Sequence, residues 1–523
     1  MLCMTALPVK AQHSDYTSND IEKTIEDIIN WKKTSLNAEG GYLLSSSLAD
    51  TAGTANSDWY AFAVGRLGVE DDYFSYLTIL KSYVEDKYKT DEKLDSQKST
   101  EWHRIALTAL SLGADPTSFG TDPNGESINL IDDGIFYKEN LGKQGVNSYI
   151  WALITLDSKN YKEPDDAVNT RENIINSILK YQKNDGSFTM DGTSANTDIT
   201  AMAVQALSNY TDENKEYSFT NADASKKNSS IKKVVLNAVN WLSSQQQKNG
   251  GFVLQGEESA ESTAQVITAL CSINIDPVND SRFIKNGCNV LDGLMQYQTS
   301  EGGFAHTSNQ KANSISSEQA LYALCAFYRF NGSYNSLFNL ENEKNNSGIV
   351  NIFNSKNVNT KLIFNSYDLK QYNSLPENLT TKNYNTVLRL YQKLIKAENA
   401  HDYENIKNDL SEKMDRLHSI KSEIECINSE IAERLYPFNN LSSNDKALVN
   451  SLCDRVNKLS EYDQSKILDV ENLKLANEKL NSQTVTVVIT VVVAVLLVIL
   501  LILITIGILK KKKTALQNEN QDW

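Results

Sequence analysis

Apolar and polar positions along residues 20–332 fall into two alternating helical patterns. One set of segments keeps a polar face: 21–33, 73–88, 127–140, 171–183, 231–247 and 282–298. Apolar residues return there every three or four positions, as on a helix that meets a core on one side only. The other set is apolar around most of the circumference. DWYAFAVGRLG starts at Asp58, EWHRIALTALSLG at Glu101, NSYIWALITLDS at Asn147, DITAMAVQAL at Asp198, ESTAQVITALCSI at Glu261 and EQALYALCAFYRF at Glu318. Their starts lie 43, 46, 51, 63 and 57 residues apart, a long-period repeat. The pattern predicts six pairs, each an amphipathic helix followed by a buried one.

Four of the amphipathic segments end in the same way: Glu39-Gly-Gly-Tyr42, Asp185-Gly-Ser-Phe188, Asn249-Gly-Gly-Phe252 and Glu301-Gly-Gly-Phe304. Glycine can take the left-handed conformation that closes a helix, and the aromatic anchors the returning loop. In the last three a glutamine stands six residues earlier: Gln182, Gln246 and Gln298. Two buried segments also leave through similar turns, LGADP at 112–116 and NIDP at 274–277. A double ring satisfies this pattern, with the buried helices inside and the amphipathic ones outside. An open solenoid would leave one face of the inner row exposed, against its nearly uniform hydrophobicity. The expected fold is all-α, an (α/α)6 toroid over residues 20–332.

These glutamine–glycine–aromatic turns resemble the repeats of the squalene–hopene cyclase and prenyltransferase α/α-toroid superfamily. The likeness covers about residues 20–332 and extends to secreted bacterial relatives. More distantly it includes the helical domain of the vitamin B12 carriers intrinsic factor and transcobalamin. It implies the toroid; it does not imply one activity, because this fold hosts enzymes and binders alike.

After the ring the composition changes. Residues 333–377 are rich in Asn, Ser and Lys and read as a linker. The helical period returns over 378–482, which resembles the three-helix stalk modules of Gram-positive surface proteins. Residues 484–509 carry no charge. As a helix, 26 residues at about 1.5 Å each reach about 39 Å, enough to cross a bilayer with some tilt. Lys510 to Lys513 follow, which predicts a cytoplasmic tail at 510–523 and everything before the span outside. Residues 1–11 end in a small-residue pattern, Val9-Lys10-Ala11, and read as the remnant of a signal peptide, without its apolar core. The expected location is the cell membrane, single-pass, with the ring extracellular.

Charge and cysteines exclude further classes. The net charge is −15 with no basic stripe, against a nucleic-acid partner. The six cysteines match no zinc spacing. Cys271, Cys288 and Cys325 lie in apolar helical runs and read as buried thiols; a Cys426–Cys453 bridge stays open.

Asp198 is the candidate for chemistry. The cyclases that this chain resembles carry Asp-x-Asp-Asp followed by Thr-Ala, whose central acid protonates an alkene. Here Asn196, Thr197, Asp198, Ile199, Thr200 and Ala201 stand at those positions, and only the central acid remains. An alkene-protonating acid needs tuned neighbours and a dry site. No catalytic residue is therefore expected, unless Asp198 serves a degenerate cyclase. The bland alternative is that Asp58, Glu101, Asp198, Glu261 and Glu318 complement helix N-termini, at about 0.3–1 kcal/mol each. Ser316 and Gln319 fit a capping box.

If the inner helices run parallel, their first turns ring one mouth. That mouth would gather Asp58, Trp59, Trp102, His103, Asn147, Trp151, Asp198, Thr200, Glu261, Ser262, Glu318 and Gln319. Acids and amides with flat indole rings suit a polar or amphipathic ligand. Core packing is the competing reading of Trp59 and Trp102. His103 and His306 read as structural groups. The carrier resemblance makes a corrinoid one candidate ligand; otherwise no cofactor or metal is expected. No cysteine has an Asp two residues before it, as a prenyltransferase zinc site requires, and Ser316-Ser317-Glu318-Gln319 replaces the Cys-x-Glu-Gln of thioester domains. The expected function is a membrane-anchored protein that binds a small molecule or a surface partner at the toroid mouth. A degenerate terpene-cyclase-like or prenyltransferase-like enzyme is the alternative, and an adhesin or scaffold the third.

Overall fold

The computed structural model describes residues 16–341 and 362–519. The signal-peptide reading of 1–11, residues 342–361 of the expected linker and the last four residues lie outside the described part. Two units form, one of residues up to Asn373 with Leu388–Lys407, the other of Ser374–Val387 with the chain from Asn408.

The first unit holds the ring. Helix α1 (Ser18–Ser35) lies outside and α2 (Ala55–Leu67) inside; α3 (Tyr73–Lys87) and α4 (Thr100–Ser111) repeat the arrangement. A π-helical turn, Asp132–Phe136, packs on α4 ahead of α5 (Val146–Ser158). Then come α6 (Arg171–Leu179) and α7 (Thr197–Leu207), α8 (Ile231–Gln245) and α9 (Ala260–Ser272), and α10 (Val290–Met295) and α11 (Ser314–Asn331). Each inner helix packs on the next, α2–α4–α5–α7–α9–α11, and α11 returns to α2. Ten or eleven residues of α7, α2, α4 and α9 are buried on all sides, as their sequences require.

The glycine turns show how the outer layer closes. Gly250 has φ +88°, and a Cβ there would stand 2.0 Å from the carbonyl oxygen of Asn289, at the start of α10. Gly302 has φ +96°, and its Cβ would meet the carbonyl of Asp27 on α1 at 2.8 Å. The last turn thus abuts the first outer helix, with no room for a side chain. The glutamines hold the same turns. Gln182 Nε2 donates to the carbonyls of Gly186 (3.2 Å) and Val234 (3.0 Å). Gln246 Nε2 donates to Gly250 (3.1 Å) and Phe283 (2.8 Å). Each ties its own turn to the next repeat.

Three outer segments are shorter than the hydrophobic pattern predicts. The segment 127–140 contributes only the π turn: Asn129 accepts the N–H groups of Ile131 and Asp132, and Tyr88 and Lys93 hold Asp133 (2.8 and 2.9 Å). α10 starts at Val290 because Asn289 and Asp292 form a capping box there. Cys288 therefore lies in a bridge with Lys285 and is half-buried, whereas Cys271 and Cys325 are buried in inner helices. α6 ends at Leu179, ahead of its glycine turn. The remaining structure includes two hairpins, β1 (Glu216–Thr220) with β2 (Lys226–Ser230) and β3 (Val253–Leu254) with β4 (Glu257–Glu258).

Residues after α11 also pack on the ring. Arg66, on α2, donates to the carbonyls of Leu337 (2.6 Å), Asn339 (3.0 Å) and Ser336 (3.1 Å). α12 (Ser366–Asn373) follows, with Gln371 Nε2 bonded to the Ser45 carbonyl at 3.0 Å. The C-terminal half of α13 (Tyr384–Lys396) belongs to the same unit. Ring packing thus extends into the stretches read as linker and early stalk, because buried polar contacts override their polar composition.

In the second unit α14 (Glu404–Arg434), α15 (Lys446–Asn457), α16 (Glu461–Gln464) and α17 (Val470–Glu519) follow one another. Ile424, Ile427, Ile431, Val449, Leu452, Val456, Leu473 and Leu480 share a core between α14, α15 and the start of α17. Cys453 is buried there and Cys426 exposed, so the two form no disulfide. Within α17, Val492–Lys511 is long and apolar enough to cross a membrane, and none of it is buried.

Candidate functional site

The first turns of α2, α4, α9 and α11 meet at one rim, and that of α7 lies beside α9. Arg104 Nε donates to Asp58 Oδ2 at 2.8 Å, joining α4 to α2. The carboxyl of Asp198 on α7 lies near Ser262 and Glu261 on α9. Ser316 on α11 donates to Glu261 on α9, whose other oxygen lies 2.7 Å from His306 Nδ1. Lys32 reaches from outer α1 to Ser314 Oγ at 2.6 Å, with its ammonium 4.6 Å from the Tyr60 ring centre.

Local sequence accounts for these positions. Asn196, Ser259 and Asn313 cap α7, α9 and α11 with their side chains. Asp198 and Glu261 each follow two residues after the cap, in the first turn. Asp198 therefore complements the helix end but is not the cap. The expected box of Ser316 with Gln319 does not form: Asn313 accepts the Ser316 N–H, and the freed hydroxyl turns to Glu261. Glu318 lies a turn inside α11.

The rim acids differ in environment. Asp58 is fully buried and satisfied by Gly53 N–H (2.9 Å), the Tyr76 hydroxyl (2.7 Å) and Arg104. Glu101 completes the cluster, at 2.7 Å from Arg104 Nη2. Burial pushes the Asp198 carboxyl up, and its Oδ1 meets no donor. Burial also raises Glu318 well above the usual carboxylate range, only partly offset by Lys32. An open cavity of about 330 Å³ adjoins this cluster, lined by Leu254, Gln255, Glu257, Ser259 and His306.

The ring axis is filled from within. Trp59 and Trp151 stand 4.9 Å apart, and Phe62 meets Trp59 edge-on at 5.7 Å. Phe338, from the segment after α11, stacks on Phe62 at 5.3 Å and meets Trp151 at 5.6 Å. Between neighbouring inner helices Gln205 Nε2 bonds Gln265 Oε1 at 3.1 Å, and Gln265 bonds Tyr322 and Gln319. Beside Phe338 a cavity of about 20 Å³ remains, enough for about one water.

Not every residue expected at the mouth is there. Trp102 and His103 face the outer layer: Trp102 Nε1 donates to the Tyr88 hydroxyl at 2.8 Å, and His103 Nε2 to the Gly134 carbonyl at 3.1 Å. Successive helical residues lie about 100° apart around the axis, so a run cannot share one face. Burial holds the His103 imidazole neutral, its pKa pushed down to about 3. Thr200 holds the loop: its hydroxyl accepts the Phe188 N–H at 2.8 Å and donates to the Asn196 carbonyl at 2.6 Å. Thr263 and Ser317 repeat this for Phe252 (3.1 Å) and Phe304 (2.8 Å). That staple was missed, although a hydroxyl recurs 11 to 13 residues after each aromatic. Ser262 is buried against Ser259 (2.8 Å), and Asn147 is half-buried in the first turn of α5. His306, set aside as structural, belongs to the rim cluster. Among the described residues no three metal-ligating side chains converge.

Residues 139–347 match the family model of the prenyltransferase alpha-alpha toroid domain. The ring is a prenyltransferase-like α/α toroid. The match begins just ahead of α5 and runs past α11, so it covers α5 and the three inner helices, α7, α9 and α11, that carry the hydroxyl staples and the linked glutamines. The toroid's first two pairs, outside the match, complete the same closed circuit. Against curated proteins the chain finds no match.

Proposed function

We propose that the toroid is a binding module, held at a membrane by Val492–Lys511, and that its rim takes a small polar ligand. The observation that carries this reading is the cluster of Glu261, His306, Ser316, Ser262 and Asp198, gathered from three inner helices and one loop beside an open cavity. Its volume falls at the low end for ligand pockets, and its donors and acceptors suit a polyhydroxylated or cationic molecule.

Cyclisation fits less well. A polyprene needs a long dry cavity facing its acid, whereas Trp59, Trp151, Phe62 and Phe338 pack along this axis. Asn196, at a position where the cyclases carry an acid, is committed to capping.

The test is equilibrium titration of the detergent-solubilised full chain with oligosaccharides, polyamines, a corrinoid and polyprenes. Saturable binding of a polar class, weakened tenfold or more by Glu261→Gln, supports the rim site. Conversion of a polyprene that Asp198→Asn abolishes would instead establish the enzyme. The filled axis favours a second reading, in which the outer face meets a partner at the cell surface; silence toward all four probes would leave that one standing.

A further inference from the structure

Lys393 on α13 faces two carboxylates. Its Nζ lies 2.5 Å from Oδ2 of Asp72 and 2.8 Å from Oδ2 of Asp368, and all three side chains are at most 3% exposed. Asp72 caps α3: its Oδ1 accepts the Ser75 N–H at 3.0 Å and its Oδ2 the Ser75 hydroxyl at 2.8 Å. Asp368, on α12, accepts the Asn365 N–H through Oδ2 at 2.8 Å. Its Oδ1 is buried and meets no donor.

A lone ammonium between two ionised carboxylates leaves a net negative charge out of water, an unfavourable arrangement. Asp71, half-buried beside Asp72, adds to it. Holding Asp368 as the neutral acid relieves the excess. Burial favours that form, and the Lys393 ammonium opposes it only in part. The structure therefore presents an acid and an amine side by side, with a base touching the amine.

We propose that Lys393 and Asp368 condense into an amide cross-link, with Asp72 carrying the proton. Asp72 takes a proton from the Lys393 ammonium across the 2.5 Å contact. The freed lone pair on Nζ forms a bond to Cγ of Asp368. An amine at hydrogen-bond distance from a carboxyl oxygen stands about 3–3.5 Å from its carbon, the range from which such bonds form. The Cγ–OH bond breaks as Asp72 returns its proton to the departing hydroxyl and takes the second proton from nitrogen. One water leaves and Asp72 ends as the acid. No electrons are transferred and no co-reactant is consumed. Fixed neighbours react as if at about 10⁵–10⁸ M, and a site closed to water slows the reverse hydrolysis. The bond ties α12 to α13 and leaves Asp72 beside the new amide.

Digestion and tandem mass spectrometry of the purified full chain test this. The expected product is a branched peptide joining Lys393 to Asp368, lighter by one water than its two linear parts. Asp72→Asn keeps the cap on Ser75 and should reduce the branched fraction tenfold or more, in protein that keeps its far-UV circular dichroism. Lys393→Met should abolish it. Linear peptides alone from the wild type would overturn the proposal. So would a branch at Asp72, or an undiminished branch in Asp72→Asn.

Discussion

His103 shows how one side chain sets a pH dependence. The imidazole is buried, donates to Gly134 and leaves Nδ1 without a partner. Its folded pKa of about 3 lies below the ordinary value of about 6.5, so the unfolded chain binds the extra proton. Stability should fall as pH drops from about 6.5 towards 3, by up to about 1.4 kcal/mol per unit. Asp71 acts in the opposite sense. Burial raises its carboxyl to about 6, against the N–H groups of Leu43 and Leu44, so its contribution is lost as pH rises from about 3.8 to 6. The two partly cancel in the wild type, and a variant separates them. His103→Asn should gain about 2 kcal/mol on the wild type between pH 7 and pH 5, measured by urea unfolding. An unchanged difference would mean that the folded imidazole accepts the proton.

At the scale of the element, the turns are held by side-chain bonds to backbone rather than by their glycines alone. Gln182 and Gln246 each bridge two carbonyls, one in the turn and one in the next repeat. Gln298 occupies the same motif position but is only half-buried, and its backbone forms the bridge to Phe304. Gln246→Ala leaves the Gly250 and Phe283 carbonyls unpaired in a buried place, at a cost of about 1–3 kcal/mol each. It should destabilise the toroid by about 2–4 kcal/mol in denaturant titrations, allowing for partial relaxation. Gln298→Ala should cost less than about 1 kcal/mol, within the ordinary range of surface changes. Equal losses would show that the glutamine acts through packing rather than through its two bonds.

For the whole molecule, the apolar stretch of α17 fits a single-pass membrane anchor. None of Val492–Lys511 is buried, and the stretch is long and apolar enough to cross a bilayer. A chain stopped after Ser482 should move from the membrane pellet to the soluble fraction on ultracentrifugation. Lys510–Lys513 predict that the ring lies outside. The exposed Cys426 reports on this: a membrane-impermeant maleimide should label it in intact cells, and Cys426→Ser should remove that label. Labelling only after lysis would reverse the orientation.

The helix alternation, the closed ring and the apolar span were legible in the sequence because periodicity and length are local properties. The repeated glycine–aromatic turns were visible as a motif, but the bonds that Gln182, Gln246 and the hydroxyl staples make there were not. What surrounds each rim acid was not legible. Asp58, Asp198, Glu261 and Glu318 look alike as leaders of apolar segments. Their differences come from burial and from Arg104, His306 and Lys32, which are brought in from other elements. The direction in which Trp102 and His103 face depended on the rotation of α4. The filling of the axis by Phe338, and the meeting of Lys393 with Asp72, joined residues hundreds of positions apart. The chain's own pattern determined which helices form and that they close into a ring. Only packing decided which charges are neutralised, because burial and partners are set by neighbours that a linear pattern does not specify.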